Sequence, residues 1–90
     1  KNLIEVTPGE YSVEGAMKLD DLNDRLGLEL ESEDYDSVGG LIIGLLDHLP
    51  EEGEEVADEG IRFVVTKVDK NRIDRVKIIL PKEEKEEEPA

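Results

Sequence analysis

The stretch Asp34-Tyr35-Asp36-Ser37-Val38-Gly39-Gly40-Leu41-Ile42-Ile43-Gly44-Leu45-Leu46-Asp47-His48-Leu49-Pro50 constrains this chain more than any other. Val38, Leu41, Ile42, Leu45, Leu46 and Leu49 recur on one face of a 3.6-residue helix. Ser37 is a suitable N-cap, because its hydroxyl can accept from an orphan N–H of the first turn. Pro50 stops the helix and biases Leu49 towards an extended backbone. Gly39, Gly40 and Gly44 each cost about 1 kcal/mol against alanine inside a helix. A helix that keeps all three needs a compensating gain. Close approach of backbone or of a bulky side chain to the glycine side supplies one. The stretch therefore predicts a helix laid tightly on a sheet, with the rest of the chain forming that sheet.

The flanking segments have the right pattern. Leu3-Ile4-Glu5-Val6 and Tyr11-Ser12-Val13 read as strands joined by a turn at Thr7-Pro8-Gly9-Glu10. Gly15 breaks the second. Leu19, Leu22 and Leu26 repeat at helical spacing, with Asp20 and Asp21 near the positive end and Gly27 just past the other. That helix is about two turns long and is stable only when packed. Val56–Asp58 reads as a short edge strand and Glu59-Gly60 as a tight turn. Ile61–Val68 is the strongest strand, rich in β-branched residues. Asp69-Lys70-Asn71 turns the chain, with Asn71 suited to a left-handed backbone. Arg72–Leu80 follows, with Val76, Ile78 and Leu80 on one face and Ile73 and Ile79 on the other. Pro81 ends it. The expected fold class is α+β: a small, mostly antiparallel sheet with two short helices packed on it. The expected domain is 1–81. The segment 82–90, nearly all glutamate and lysine, reads as a disordered acidic tail.

Charge narrows the partners. Twenty-five acidic residues against 11 basic ones give a net charge of -14. Such a chain is repelled by nucleic acid and by anionic membrane, so neither is an expected partner. There is no cysteine, which excludes disulfides and thiolate metal sites. The apolar run Val38–Leu46 is far shorter than the roughly 20 residues that span a bilayer. No signal peptide is visible, and the chain, starting at Lys1 without a methionine, reads as a piece of a longer protein. Arg62, Lys67, Lys70, Arg72, Arg75 and Lys77 place most of the basic residues on the last two strands and their turn. They suit cross-strand pairing with acids, or a basic strip facing an acidic neighbour.

Several blocks together resemble a known family. They are Gly9-Glu10-Tyr11-Ser12-Val13-Glu14-Gly15, Asp21-Leu22-Asn23-Asp24 with Leu26-Gly27-Leu28, and Asp34-Tyr35-Asp36-Ser37-Val38-Gly39-Gly40-Leu41. Leu49-Pro50 with Gly53, then Gly60, Phe63, Val65, Asp69, Arg72-Ile73 and Val76, complete the set. In order and spacing the chain resembles the CorC/HlyC transporter-associated domain, the C-terminal module of CorC-type magnesium and cobalt efflux proteins and hemolysin-like proteins. It departs at Lys70-Asn71, where the family usually has a glycine, and at Ala57, where a larger apolar residue is common. The resemblance implies an α+β fold related to part of the FAD-binding PCMH-like fold. It implies a parent with a pair of CBS domains, often with a membrane domain, at the inner membrane or in the cytosol. It also implies a cytoplasmic module that modulates ion transport, contacts the CBS pair or another copy of the chain, and has no direct membrane contact.

The residues offer few candidates for chemistry. His48 is the only histidine and is expected in the last turn of its helix, where a cation is favoured. Asp47 beside it does not face it on a helix. Gly39-Gly40 at a helix start could cradle a phosphate, but Asp34 and Asp36 would repel it. Glu31, Glu33, Asp34 and Asp36 are weak candidates for a divalent cation, in a spacing that matches no EF-hand loop. Flavin is suggested only by fold kinship, and one Phe, two Tyr and no Trp suit it poorly. No nucleophile, base and orienting group assemble, so no enzyme and no cofactor are expected.

Overall fold

A computed structural model describes residues 3–81, so the tail expected at 82–90 lies outside the described residues. Five strands and two helices occur in the order β1 (Leu3–Thr7), β2 (Glu10–Glu14), α1 (Leu19–Leu26), α2 (Val38–Leu46), β3 (Glu55–Asp58), β4 (Ile61–Asp69) and β5 (Arg72–Ile79). All strand pairs are antiparallel, in the sheet order β1-β2-β5-β4-β3. The architecture is α+β, a five-stranded antiparallel sheet with two helices, as the alternation and capping signals predict.

Side-chain alternation sorts the sheet into two faces. Val13, Val76 and Val65 lie side by side across β2, β5 and β4, and all three are fully buried. Phe63 and Ile78 form the neighbouring buried pair. Against this inner face pack Leu19 and Leu22 of α1, Val38, Leu41 and Ile42 of α2, and Met17 and Leu30 of the connections. Gly27 closes α1 in a left-handed conformation, with its N–H on the Asn23 carbonyl.

Ile73 departs from the expected face. It joins the core with Val76 and Ile78, although simple alternation puts it on the opposite side. The cause is a pair of bulges. Val65 pairs with Val76, Lys67 with Arg75 and Val68 with Ile73, so Thr66 and Asp74 have no opposite number. The extra residue in β5 turns Ile73 inward. On the other strand, the N–H of Val68 donates to the Glu52 carboxylate at 3.2 Å.

Helix α2 also ends sooner than its apolar pattern suggests. Asp47 takes a left-handed conformation (φ 68°), and its N–H donates to the Ile43 carbonyl at 2.7 Å. The short polar side chain of an aspartate tolerates this conformation. Leu49 therefore lies beyond the helix and is 37% exposed, and Leu45 is 40% exposed. The buried stripe is limited to Val38, Leu41 and Ile42. At the β4–β5 turn the left-handed residue is Lys70 (φ 57°), not Asn71. Asp69 pairs with Arg72, which leaves a two-residue loop whose first position favours glycine.

Gly15 is the tightest point of the fold. A Cβ added there would lie 2.1 Å from the Ile73 carbonyl oxygen, a backbone atom. Its N–H donates to the Asp74 carbonyl at 3.0 Å, and its own carbonyl accepts from the N–H of Gly39 at 2.8 Å. Gly15→Ala should destabilise the protein by about 3 kcal/mol, the upper end of the usual overpacking cost, because the atom met is backbone. Urea denaturation measures this. By contrast, Lys70→Gly should raise stability by about 0.5–1 kcal/mol through relief of the left-handed lysine, seen as a higher urea midpoint with unchanged slope.

Candidate functional site

The N-terminus of α2 is the place where a ligand would look for free donors. The side chain of Ser37 accepts from the N–H of Gly40 at 3.1 Å, the N-cap that the sequence predicts. The N–H of Val38 donates to the Met17 carbonyl at 2.9 Å, and that of Gly39 to the Gly15 carbonyl. Leu19 N–H donates back to the Asp36 carbonyl at 2.8 Å, and Lys18 and Ser37 form an isolated antiparallel bridge. The first three amides of the helix are thus engaged by the protein itself. A phosphate would have to displace these bonds, with the Asp34 and Asp36 carboxylates nearby in sequence. For the same reason the site does not fit the pyrophosphate of a flavin dinucleotide.

The three glycines of α2 divide between two neighbours. Gly39 faces the Gly15 carbonyl oxygen (3.1 Å from an added Cβ) and Ile73, which is the close approach to the sheet layer. Gly40 and Gly44 face the ring of Tyr35 instead, at 2.8 and 2.9 Å from added Cβ atoms. Tyr35 is 40% exposed and lies along the bare side of the helix as its cover. The Tyr35 N–H donates to Ser32 Oγ at 3.1 Å. No role for this tyrosine emerges from the residue pattern, since it precedes the helix and lies outside every periodicity.

Asn23 is a second residue whose part is invisible in the sequence. Its Nδ2 donates to the Leu30 carbonyl at 2.9 Å, and its Oδ1 accepts from the Leu30 N–H at 3.0 Å. This two-way clasp imitates a strand pairing and buries Leu30 to 2% exposure. It fixes the acidic connection between the helices. There an open hollow of about 540 Å3 is lined by Lys18, Asp20, Leu30, Glu31, Glu33, Tyr35 and Asp36, among others. Glu31, Glu33, Asp34 and Asp36 are all exposed. Asp36 is engaged with Lys18 at 3.3 Å. Among the described residues no three His, Cys, Asp or Glu side chains converge on a point suited to a metal ion.

His48 lies in the loop after α2, not in its last turn. Its Nε2 is 2.8 Å from Glu54 Oε2, and Glu54 Oε1 accepts from the Glu51 N–H at 3.0 Å. The hydrogen bond to Glu54 holds the imidazole pKa above its usual range, and the Glu51 N–H, then His48, hold the Glu54 carboxyl below its own. Next to this clasp, Gly53 N–H donates to the Val65 carbonyl and Val65 N–H to the Glu54 carbonyl, so the loop is laced to β4. The arrangement is a staple, with the Glu54 carboxylate as the main partner of the imidazole and the Leu46 backbone as a lesser one.

On the outer face of the sheet the cations are mostly paired across strands. Arg75 Nη2 lies 3.8 Å from Glu14, Lys77 Nζ 3.9 Å from Glu10, and Arg62 Nη2 2.6 Å from Glu55. Cross-strand pairing, one of the two roles open to these residues, is thus present.

The family comparison agrees with this frame. Residues 4–82 match the family model of the transporter associated domain, CorC_HlyC. The chain belongs to the CorC/HlyC transporter-associated domain family. The magnesium and cobalt efflux protein CorC of Vibrio cholerae is 31% identical over 81 residues, which is 90% of this chain but 28% of that protein. The chain thus spans little more than a quarter of the curated relative. A CorC-associated region from Neisseria meningitidis superposes with a TM-score of 0.83 at 32% identity, over 89% of this chain and 99% of that one. The transporter associated domain of a CBS domain protein from Porphyromonas gingivalis gives a TM-score of 0.81 at 29% identity, over 91% of this chain and 100% of that one. Domains of this family therefore occur in CBS domain proteins. No helix among the described residues is long and apolar enough to cross a membrane.

The clasp gives a pH signature. The raised His48 pKa contributes stability fully below about 6.5 and loses it as pH rises through the folded value. The lowered Glu54 pKa contributes fully above about 4.5 and loses it as pH falls through the folded value. The difference in melting temperature between the native protein and His48→Ala should therefore be largest between about pH 4.5 and 6.5, and shrink towards pH 8. Thermal melts across that range measure it.

Proposed function

We propose that this chain is a non-catalytic regulatory and interaction module of a CorC-type magnesium and cobalt efflux or hemolysin-like protein. The observation that carries this reading is the engagement of the α2 N-terminus: Val38, Gly39 and Gly40 all donate into the protein. The glycines serve contact with Gly15, Ile73 and Tyr35, and the histidine serves a loop staple. A surface that fits other polypeptide is what such a body has to offer. In this reading the module lies on the cytoplasmic side of its parent and contacts the CBS domains or a second copy.

A divalent cation is the competing reading, favoured by the hollow rimmed by Asp20, Glu31, Glu33 and Asp36. Calorimetric titration with Mg2+, Ca2+ and FAD separates the two. Heats without saturation are expected, and a stoichiometric, saturable isotherm for any of them would replace the module with a ligand-binding domain. The module reading has its own test. In cells expressing Vibrio cholerae CorC, the matching segment is deleted or replaced by residues 3–81 of this chain. Cobalt efflux should differ between the two and be closer to native in the replacement. Equal efflux overturns the reading.

A further inference from the structure

The charge of the chain is distributed unevenly over the folded molecule. Residues 61–81, which form β4, β5 and their turn, carry Arg62, Lys67, Lys70, Arg72, Arg75 and Lys77 against Asp69 and Asp74, a net charge of +4 within a chain of -14. Four of these cations belong to the sheet face turned away from the helices. Along one row of that face Ile4, Ser12, Lys77 and Val64 lie side by side across β1, β2, β5 and β4. Along the next, Arg75 stands between Glu14 and Lys67.

Two features of these rows are incomplete as they stand. Lys67 and Arg75 are directly opposite each other, an arrangement of like charges that repels. Arg75 has Glu14 at 3.8 Å and donates to Ser12 Oγ at 3.0 Å, whereas Lys67 has no ion-pair partner among the described residues. Ile4 in the adjoining row is 55% exposed, the most exposed of the large apolar side chains. The glutamates already on the face hold Arg75 and Lys77 at 3.8 and 3.9 Å in partly exposed pairs. Pairs of that kind are worth about 1 kcal/mol or less, so an incoming carboxylate can displace them.

We propose that the outer face of the sheet docks an acidic polypeptide segment, with a carboxylate seated between Lys67 and Arg75 and an apolar neighbour covering Ile4. The proposal rests on the interaction-module reading and names the surface and its partner. The basic footprint is short. An extended polyanion such as RNA, or an anionic bilayer, overruns it and meets the acid-rich connections. A short peptide does not, because charges beyond about 8 Å are largely screened at physiological salt. Ile4, on the same face two strands from Lys77, also suits a polypeptide, which can carry carboxylate and aliphatic side chains along one face.

The test is an NMR titration of the isotope-labelled protein with two synthetic peptides. One has leucine pairs alternating with glutamate pairs, which puts both side chains on each face of an extended chain. The other has leucine pairs alternating with lysine pairs. The leucine–glutamate peptide should give saturable shifts centred on Ile4, Lys67, Arg75 and Lys77. Added salt should weaken it, and Lys67→Glu should weaken it at least tenfold while the spectrum stays dispersed. Shifts confined to α1 and the acidic connection, absence of saturation, or equal binding of the leucine–lysine peptide would overturn the proposal. So would tighter, Lys67-dependent binding to phosphatidylserine vesicles or to poly-uridine. Failure here with a working CorC replacement removes this surface and leaves the module reading. Failure of the replacement with peptide binding intact does the reverse.

Discussion

Three separate parts of the chain meet at Gly15 without a side chain between them. The Asp74 carbonyl takes the Gly15 N–H, and the Gly15 carbonyl takes the Gly39 N–H. One unbroken run of backbone hydrogen bonds thus ties the bulged strand β5 to the exit of β2 and to the first turn of α2. Buried backbone groups must be paired, and here the amides of Val38 and Gly39 are paired with carbonyls of the segment between β2 and α1. The position of α2 over the sheet follows from that linkage, and so does the burial of Val38, Leu41 and Ile42. Its bare side then needs a cover, which the ring of Tyr35 provides.

The same economy of polar groups explains the surface. Helix-end amides, the single histidine and the amide of Asn23 all hold loops or elements in place. What faces solvent is mostly carboxylate, with the cations gathered on the open side of the sheet. In the proposed module, specificity would lie in shape and in the two unlike sides of its charge, which orient a partner before contact.

Much of the architecture was legible from local signals. Ser37, Gly27, Pro8-Gly9 and Glu59-Gly60 each mark an element end by their own chemistry, and each marks a real one. The β-branched run in β4 needed no context. What escaped depended on contacts distant in sequence. Ile73 turns inward because of a bulge that exists only when β4 and β5 are paired. Leu49 leaves the helix because Asp47 closes it, although the apolar period continues past that point. Lys70, not the more tolerant Asn71, takes the left-handed position, since the pairing of Asp69 with Arg72 sets which loop residue comes first. Tyr35 and Asn23 act across the helix connection, and no periodicity carries that information. Of the candidate site, the capped helix start was readable and the occupation of its amides was not.

The strand order carries a kinetic consequence. β4 and β5 are joined by a two-residue loop, whereas β5 reaches β2 across most of the chain, with Arg75 and Ser12 bonded 63 residues apart. Closing so long a loop costs entropy before any contact rewards it. Loop-closure entropy therefore favours pairing of β4 with β5 before β5 pairs with β2. Until the N-terminal hairpin pairs, the β5 flank facing β2 is an open strand edge, and such an edge is a template for pairing with the wrong chain.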